Sequence, residues 1–246
     1  MGLSSADSWR FIYDRLIRDL IQMMTRRTTF VALAVIAVLS FYGIRAYMGS
    51  QSVRELQGVE VREYQGERLG SIGDFRENSI RGPQDVDVDS YVLRVTGMVE
   101  EPRNYTYGEV LDGFQGYEKV VTIDCVEGWS VKVLWEGVLV SEVLDVSGMF
   151  PSVNTVIFHA EDGYTTSLPL EYIVDNEILM AYKMNGLVLP TEKSFPFQLV
   201  AESKWGYKWI KWITEIELSD DGEYRGYWES RGYSNDADLN GRYWGN

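Results

Sequence analysis

The chain has 246 residues, 45% of them hydrophobic, which is enough to fill the core of one large domain or two small ones. Its formal net charge is −14, and because the first fifty residues hold six arginines against three aspartates, the remainder carries −17. Such an acidic body repels phosphate backbones, so the composition excludes nucleic acid as a partner.

The N-terminal region predicts a membrane anchor. Residues 1–27 alternate apolar and charged side chains at helical spacing, which indicates a short amphipathic helix on the cytoplasmic membrane face. Residues 28–44 form an uncharged, mostly apolar run that ends at Arg45, and continuing it to Met48 gives a span, residues 28–48, of about 20 residues, enough to cross a hydrocarbon layer of roughly 30 Å. Five arginines precede this run and one follows it, so we expect the domain beyond it on the extracytoplasmic side. A buried core helix is the alternative, which the Arg26-Arg27 boundary disfavours.

Arg26 and Arg27 also resemble a twin-arginine export signal, with Phe30 following one place late. No clean small-residue cleavage site follows them, which favours an uncleaved anchor. Residues 49–71 are polar and rich in Gln and Glu, and predict a linker. The folded domain is therefore expected over residues 72–246.

From residue 72 onward, short strands broken by Gly, Pro, Asn and Asp alternate with a few short helical patches. This pattern predicts an α+β domain dominated by mixed β-sheet. The clearest strands are residues 91–96, 131–135, 155–158 and 212–218, and the helical patches are residues 107–111, 140–144 and 170–174.

Cys125 is the single cysteine, and it follows the strand-like residues 120–123 at the start of a turn through Gly128. A lone cysteine cannot form an intramolecular disulfide, so it serves packing, an intermolecular link or chemistry. A strand end that opens into a loop is a usual place for a ligand-contacting residue. With one histidine and one cysteine, zinc and iron–sulfur sites made from ordinary ligand sets are nearly excluded.

Four strings, in order and spacing across residues 72–218, resemble the sulfite-oxidase-type molybdopterin oxidoreductases, the family that includes the periplasmic methionine-sulfoxide reductase catalytic subunit. A closing segment, residues 226–233, resembles the same family. The strings are Phe75-Arg-Glu-Asn-Ser79, Asp124-Cys-Val-Glu-Gly-Trp129, residues 162–170, and residues 195–212.

The resemblance implies an α+β, mixed β-sheet, sulfite-oxidase-type molybdopterin-binding fold, which the one predicted N-terminal transmembrane helix precedes. It also implies molybdenum with molybdopterin, and Cys125 as the one protein ligand of the metal, a role that suits a soft thiolate. His159 could equally be a satisfied core histidine. The implied cofactor contacts are Asn78, Ser79, Cys125, His159, Lys193, Gln198, Trp209, Ile210 and Lys211.

The substrate pocket follows from the same resemblance. Sulfite oxidases place arginines where this sequence has Glu77 and Glu127, so an acidic rim is expected to disfavour sulfite, with Arg76 as partial compensation. The resemblance implies Tyr164 and Trp129 at the catalytic centre, and Trp205 and Tyr207 in the substrate pocket. These four aromatic residues could instead pack the core or a sheet.

These observations predict a membrane-anchored molybdopterin-dependent oxidoreductase that reduces S-oxides, free or protein-bound, by oxygen-atom transfer. Sulfite oxidation or another small substrate is one alternative, and a non-catalytic anchored binding module on the same fold is another. We expect neither the haem domain nor the dimerising immunoglobulin-like domain of animal sulfite oxidases, because neither fits in this length. We therefore expect a separate membrane haem or quinone-linked subunit as electron-transfer partner.

Overall fold

The structure is a computed structural model that describes residues 15, 17–19 and 58–245, in two units. In the first unit, Met1–Leu56, the described residues have helical backbone. The expected membrane span at residues 28–48 and the arginine pair before it lie outside the described residues. Among the residues that are described, no helix has the length and apolar character that crossing a bilayer requires.

The second unit, Gln57–Asn246, contains the sheets. Its elements in chain order are β1 (Glu63–Tyr64), β2 (Glu67–Arg68), β3 (Leu93–Gly97), β4 (Arg103–Tyr105), α1 (Tyr107–Gly113), β5 (Gly116–Asp124), β6 (Ser130–Leu139), α2 (Val140–Asp145), β7 (Thr155–Ala160), β8 (Thr165–Pro169), α3 (Leu170–Asp175), β9 (Leu179–Met184), β10 (Leu187–Val188), β11 (Gln198–Val200) and β12 (Ile213–Ser219). Short 3₁₀ turns lie at Ile72–Asp74, Gly206–Lys208 and Glu229–Arg231.

The three short helices coincide with the predicted helical patches, which are confirmed. At the start of α1, the Thr106 side chain accepts a hydrogen bond from the Glu109 amide, and the Glu109 carboxylate accepts one from the Thr106 amide. This capping box satisfies backbone donors that a helix start leaves unpaired, so the helix begins at a position the local sequence specifies.

Two five-stranded sheets form the framework, and together they confirm the predicted mixed sheet. One has the order β10-β9-β6-β5, with β11 also paired to β9, and its pairs are antiparallel. The other has the order β4-β3-β12-β7-β8, in which β3 and β12 run parallel and the other neighbours antiparallel. The four clearest predicted strands correspond to β3, β6, β7 and β12.

One hydrophobic cluster joins the inner faces of both sheets. Leu93 of β3, Trp135 of β6, Phe158 of β7 and Met180 of β9 are all fully buried in it. Burying a side chain of this kind contributes roughly 1.5–3 kcal/mol, so the cluster stabilises the strand ends from which the functional loops project.

The folded unit begins before residue 72, which corrects the predicted boundary. Glu60 accepts hydrogen bonds from the Ile72 amide at 2.5 Å, the Ser71 hydroxyl at 3.0 Å and the Asn185 side chain at 2.9 Å. Residues 58–71, expected as part of a linker, are therefore built into the domain. The polar composition of residues 58–71 predicted a linker, and the partner Asn185 is too remote in sequence for a local pattern to indicate the contact.

Candidate active site

A short turn between β5 and β6 carries the single cysteine. The Cys125 amide donates to the Trp129 carbonyl at 2.9 Å, and the Gly128 amide donates to the Cys125 carbonyl at 2.9 Å. Gly128 has φ +84°, in the left-handed region that favours glycine. Because the β5–β6 register ends at the Asp124–Ser130 pair, the strands fix where this turn begins and ends.

The Cys125 side chain lies in a cavity of about 320 Å³, a size typical of small-molecule sites. Burial raises the pKa of the Cys125 thiol, while the Glu127 amide and the Arg76 charge oppose that rise without cancelling it. The free thiol is therefore protonated at neutral pH. A bound metal ion removes such a proton outright, so the site suits a metal more than a free thiolate nucleophile.

One wall of the cavity is the loop that contains Asn78, and two carboxylates lock it in place. Glu77 pairs with Lys211 at 3.3 Å across the cavity. Glu127 accepts a hydrogen bond from the Asn78 side chain at 3.0 Å and another from the Trp129 indole at 3.1 Å. The loop and the cysteine turn are thus tied together through one carboxylate.

The charges around the cavity balance, which corrects the expected acidic rim. The Glu77 carboxylate is paired, and Glu127 is hydrogen-bonded by neighbours. Within residues 58–245, Arg76 forms no ion pair and no hydrogen bond through its side chain. The charged lining residues are Arg76, Lys193 and Lys211 against Glu77, Glu127 and Asp162. Two of these cations come from distant segments, which the local sequence around the glutamates could not reveal.

Aromatic side chains form the other walls. The Tyr164 hydroxyl donates to the Tyr207 carbonyl at 2.5 Å, and the Tyr207 hydroxyl donates to the Ser234 carbonyl at 2.9 Å. Burial raises the pKa of Tyr164 well above its ordinary value. Tyr164 is therefore a neutral phenol whose proton is already committed to a protein carbonyl, so it shapes the wall and does not supply a free acid.

The polar groups of the cavity fit a molybdenum–pterin group. The Ser79 hydroxyl is buried and has no hydrogen-bond partner among the described residues, and the Gln198 side chain lines the same cavity. A buried, unpaired hydroxyl is costly unless a ligand satisfies it. The Lys193 ammonium donates to the Phe75 carbonyl at 2.8 Å and keeps two further donors for an anionic ligand. Together with the Cys125 thiol, these residues offer a soft metal ligand, amide and hydroxyl partners, and positive charge.

The segment from Trp209 to Lys211 lines the cavity, but two of its amides are already used. The Trp209 amide donates to the Gly206 carbonyl at 3.1 Å, and the Ile210 amide to the Lys208 carbonyl at 3.0 Å. These two amides are therefore already paired, and the cofactor contact of Trp209 and Ile210 stays a prediction. The 3₁₀ turn before them closes its own hydrogen bonds, a pairing that sequence spacing did not disclose.

Two predicted site residues lie outside the cavity. His159 alternates with the buried Phe158 and Ala160 along β7, so it faces the other side of the sheet and contacts Glu217 at 2.9 Å. Trp205 packs against Tyr243 with ring centroids 5.6 Å apart. The structure brings the remaining predicted residues together in the lining: Cys125, Tyr164, Trp129, Asn78, Ser79, Lys193, Gln198, Trp209, Ile210, Lys211 and Tyr207.

Further lining residues were missed as site residues, among them Asp162, Met184, Trp228 and Tyr233. Trp228 and Tyr233 belong to the closing segment that resembled the family, and Asp162 begins one of the matched strings, so all three carried a usable signal. Met184 is an apolar residue of a buried strand and carried none, because its pattern is that of the core. Asp162 accepts hydrogen bonds from the amides of Tyr164 and Ile80 and so orders the wall.

Residues 80–228 match the family described as oxidoreductase molybdopterin binding domain. The chain is 34% identical over 148 residues to the uncharacterized oxidoreductase YuiH of Bacillus subtilis (strain 168), an alignment that covers 60% of this chain and 74% of YuiH. It is 26% identical over 190 residues to the protein-methionine-sulfoxide reductase catalytic subunit MsrP of Xanthomonas campestris pv. campestris, covering 71% of this chain and 58% of that protein.

Among solved structures, the chain is similar to the sulfane dehydrogenase SoxCD from Paracoccus pantotrophus, with a TM-score of 0.55. The two share 23% sequence identity, and the match covers 68% of this chain and 45% of that one. At this identity the likeness concerns the fold alone.

Proposed function

Because this chain belongs to the molybdopterin-binding oxidoreductase family, it is an enzyme that uses molybdenum with molybdopterin, and we propose that its substrate is an S-oxide such as methionine sulfoxide. The predicted family, the sulfite-oxidase-type α+β fold and the cofactor are thereby confirmed. The substrate, the membrane anchor and the roles of individual residues are proposals.

The observation that carries the proposal is the environment of Cys125. Its cavity has aromatic walls, and its carboxylates are paired or hydrogen-bonded. Aromatic rings attract a thioether sulfur, the group that an S-oxide becomes on reduction, by roughly 0.3–1.5 kcal/mol per contact, and a neutral sulfoxide needs no counter-charge. A small neutral sulfur compound therefore matches both the shape and the polarity of the site.

We assign Cys125 as the protein ligand of molybdenum, with Asn78, Ser79, Gln198 and Lys193 around the pterin. When bound, this group supplies two-electron oxygen-atom transfer. The residues of the chain orient and enclose it. Glu127 holds Asn78 against the cysteine turn and so fixes the geometry at the mouth of the cavity.

Trp129 and Tyr207 are proposed to flank the substrate. The Trp129 indole is held by Glu127, and the Tyr207 ring is held by its hydroxyl bond to Ser234, so neither ring has to be ordered when substrate binds. Side chains fixed in advance lower the entropic cost of binding. Both residues line the cavity that holds Cys125.

The name of the similar protein from Xanthomonas campestris supports methionine sulfoxide as the substrate. The chain spans 58% of the length of that protein, so it is our proposal that the two share this activity. The same reasoning extends to electron transfer. The domain needs a redox partner, and we propose a membrane haem or quinone-linked subunit, reached from a domain anchored on the extracytoplasmic side by residues 28–48.

Molybdenum and pterin analysis of the purified protein, followed by steady-state assays with an artificial electron donor or acceptor, tests the proposal. We expect near-stoichiometric metal, and a kcat/KM for methionine sulfoxide well above that for sulfite. A protein that holds no molybdenum would support the non-catalytic binding module. A higher kcat/KM for sulfite would contradict the S-oxide proposal and support a second candidate, the oxidation of a small sulfur oxyanion.

That second candidate, oxidation of a small sulfur oxyanion such as sulfite, is favoured by one observation. Arg76 lines the cavity without an ion pair among the described residues, and its charge acts on the Cys125 thiol. A guanidinium in this position can hold an oxyanion through two parallel hydrogen bonds.

A further inference from the structure

Two of the final described residues, Tyr243 and Trp244, expose part of their aromatic rings, and both rings contact the Tyr233 ring. Tyr243 is 41% exposed and Trp244 58% exposed. Single apolar residues at a surface are ordinary, whereas adjoining large rings that continue into a cavity are typical of a binding surface.

Backbone hydrogen bonds hold the main chain of both residues in place. The Ser234 amide donates to the Tyr243 carbonyl at 3.1 Å, and the Gly245 amide donates to the Gly232 carbonyl at 2.9 Å. The Trp244 ring lies directly over Gly232, 3.6 Å from the point a Cβ there would occupy. The rings are thus fixed before any partner arrives.

A series of ring contacts connects this surface to the cavity. The Trp244 and Tyr233 centroids are 5.0 Å apart, and Tyr233 contacts Trp228 at 5.2 Å and Tyr207 at 5.1 Å. Tyr233, Trp228 and Tyr207 all line the cavity that holds Cys125. A ligand that enters the cavity and extends beyond it along these rings meets Trp244 next.

We propose that Tyr243 and Trp244 form an aromatic shelf that binds the polypeptide on either side of a methionine sulfoxide whose side chain occupies the cavity. The inference rests on the proposed function and narrows its substrate to protein-bound S-oxides. Tyr and Trp suit this task because they offer a large contact area with few rotatable bonds to freeze.

Charge favours a polypeptide over a lipid surface or a second copy of the chain. Beside the shelf, Asp236 and Arg242 are both exposed and Asp238 pairs with Lys204, so the local charges nearly balance, while the whole chain carries −14. Anionic lipid headgroups and another copy of an acidic chain would both be repelled. A neutral or basic stretch of polypeptide meets no such repulsion.

The test compares two substrates on the cofactor-loaded full-length protein: free methionine sulfoxide and an unstructured, lysine-containing peptide with one central methionine sulfoxide. For the double variant Tyr243→Ala, Trp244→Ala we expect kcat/KM for the peptide to fall by about tenfold, and that for the free amino acid to stay unchanged. The single variant Trp244→Ala should show the same selectivity to a smaller degree. Phe150→Ala, which removes an exposed ring that does not line the cavity, is the control and should change neither value.

Fluorescence anisotropy with a labelled peptide gives a readout that does not require turnover. The double variant should raise the peptide Kd by a similar factor. An unchanged Kd, or an equal loss of kcat/KM on both substrates, would overturn the shelf. The shelf would also be overturned if the double variant lost binding to anionic vesicles, or lost self-association, while it kept its binding to the peptide. Failure of the wild-type enzyme to reduce either sulfoxide would instead overturn the proposed function, whatever the anisotropy shows.

Discussion

Cys125 depends on its neighbours for both position and chemistry. Two backbone hydrogen bonds close its turn, and burial keeps the thiol protonated until a metal ion replaces the proton. The Glu127 amide and the Arg76 charge favour the thiolate and so assist a metal that binds it. A cysteine in this setting is suited to form one strong bond between its sulfur and a metal ion that prefers soft ligands.

Replacing Cys125 by Ser should abolish turnover, because a harder oxygen donor replaces the soft sulfur. Even changes to the outer partners of metal ligands cost 10–100-fold, so we expect a loss of more than about 100-fold in kcat/KM and of most of the bound molybdenum. The thermal midpoint of the cofactor-free protein should change little, since serine fills nearly the same space. Retention of metal and activity in this variant would disprove the ligand assignment.

Arg76→Gln separates the two candidate substrates. If Arg76 holds an oxyanion, the variant should lose about tenfold or more in kcat/KM for sulfite, the factor expected when a charged hydrogen bond worth roughly 1.5–3 kcal/mol is removed. Methionine sulfoxide reduction should stay within about twofold of wild type. Arg81→Gln, in the segment just beyond the loop, is a matched control. If Arg76→Gln lowered kcat/KM for methionine sulfoxide alone, that result would contradict the argument that leads from the aromatic walls to an S-oxide substrate.

At the scale of elements, the hairpin of β1 and β2 decides where the domain begins. Glu60, just before it, bonds to the start of the next segment and to Asn185, while the Leu69 side chain after it is buried. Burial opposes the ionisation of Glu60, but hydrogen bonds from Asn185, Ile72 and Ser71 outweigh it, and the pKa of Glu60 lies below its usual value.

Glu60→Gln should destabilise the domain by about 1–2 kcal/mol at neutral pH, because hydrogen bonds to a charged acceptor are lost. A carboxylate with a lowered pKa in the folded state adds stability above its unfolded pKa, near 4.3, and that contribution disappears as the pH falls through the folded value. Denaturant unfolding of both proteins across this range should therefore show a difference that shrinks in acid. Glu63→Gln, on the neighbouring exposed strand, serves as control. A difference independent of pH would show that the Glu60 charge is not what stabilises the hairpin.

At the scale of the whole molecule, the arginine-rich N-terminal region contrasts with an acidic domain. The pterin is expected to be inserted before the domain crosses the membrane, so the domain must be exported folded. Arg26 and Arg27 match the kind of signal that such a route requires. Topology and export are proposals that rest on the sequence.

Changing Arg26 and Arg27 to Lys should trap cofactor-loaded protein inside the cell while leaving the positive charge that orients the anchor. Protease treatment from outside should then no longer cleave the domain. Arg15→Lys with Arg18→Lys is a matched control that keeps the same total charge and should leave export unchanged. Equal protease accessibility for all variants would show that the pair serves only as a positive flank of the anchor.

The sequence by itself determined the features that depend on local patterning. Strand alternation predicted β3, β6, β7 and β12, three short apolar patches predicted the helices, and the turn chemistry after residues 120–123 placed Cys125 at a strand end. The matched strings added the family, the fold and most of the cavity lining. These features are encoded within a few residues of one another, so they can be read without knowing the pairing of the sheets.

Only the tertiary structure decided the charge and boundaries of the site. Glu77 is neutralised by Lys211, 134 residues away, and Asn78 reaches Glu127 across 49 residues. Strand alternation turned His159 away from the cavity, and Asn185 drew residues 58–71 into the domain. Electrostatic and hydrogen-bond partners act over a few ångströms in space whatever their separation along the chain. No local pattern could therefore predict an electrically balanced cavity where the sequence predicted an acidic rim.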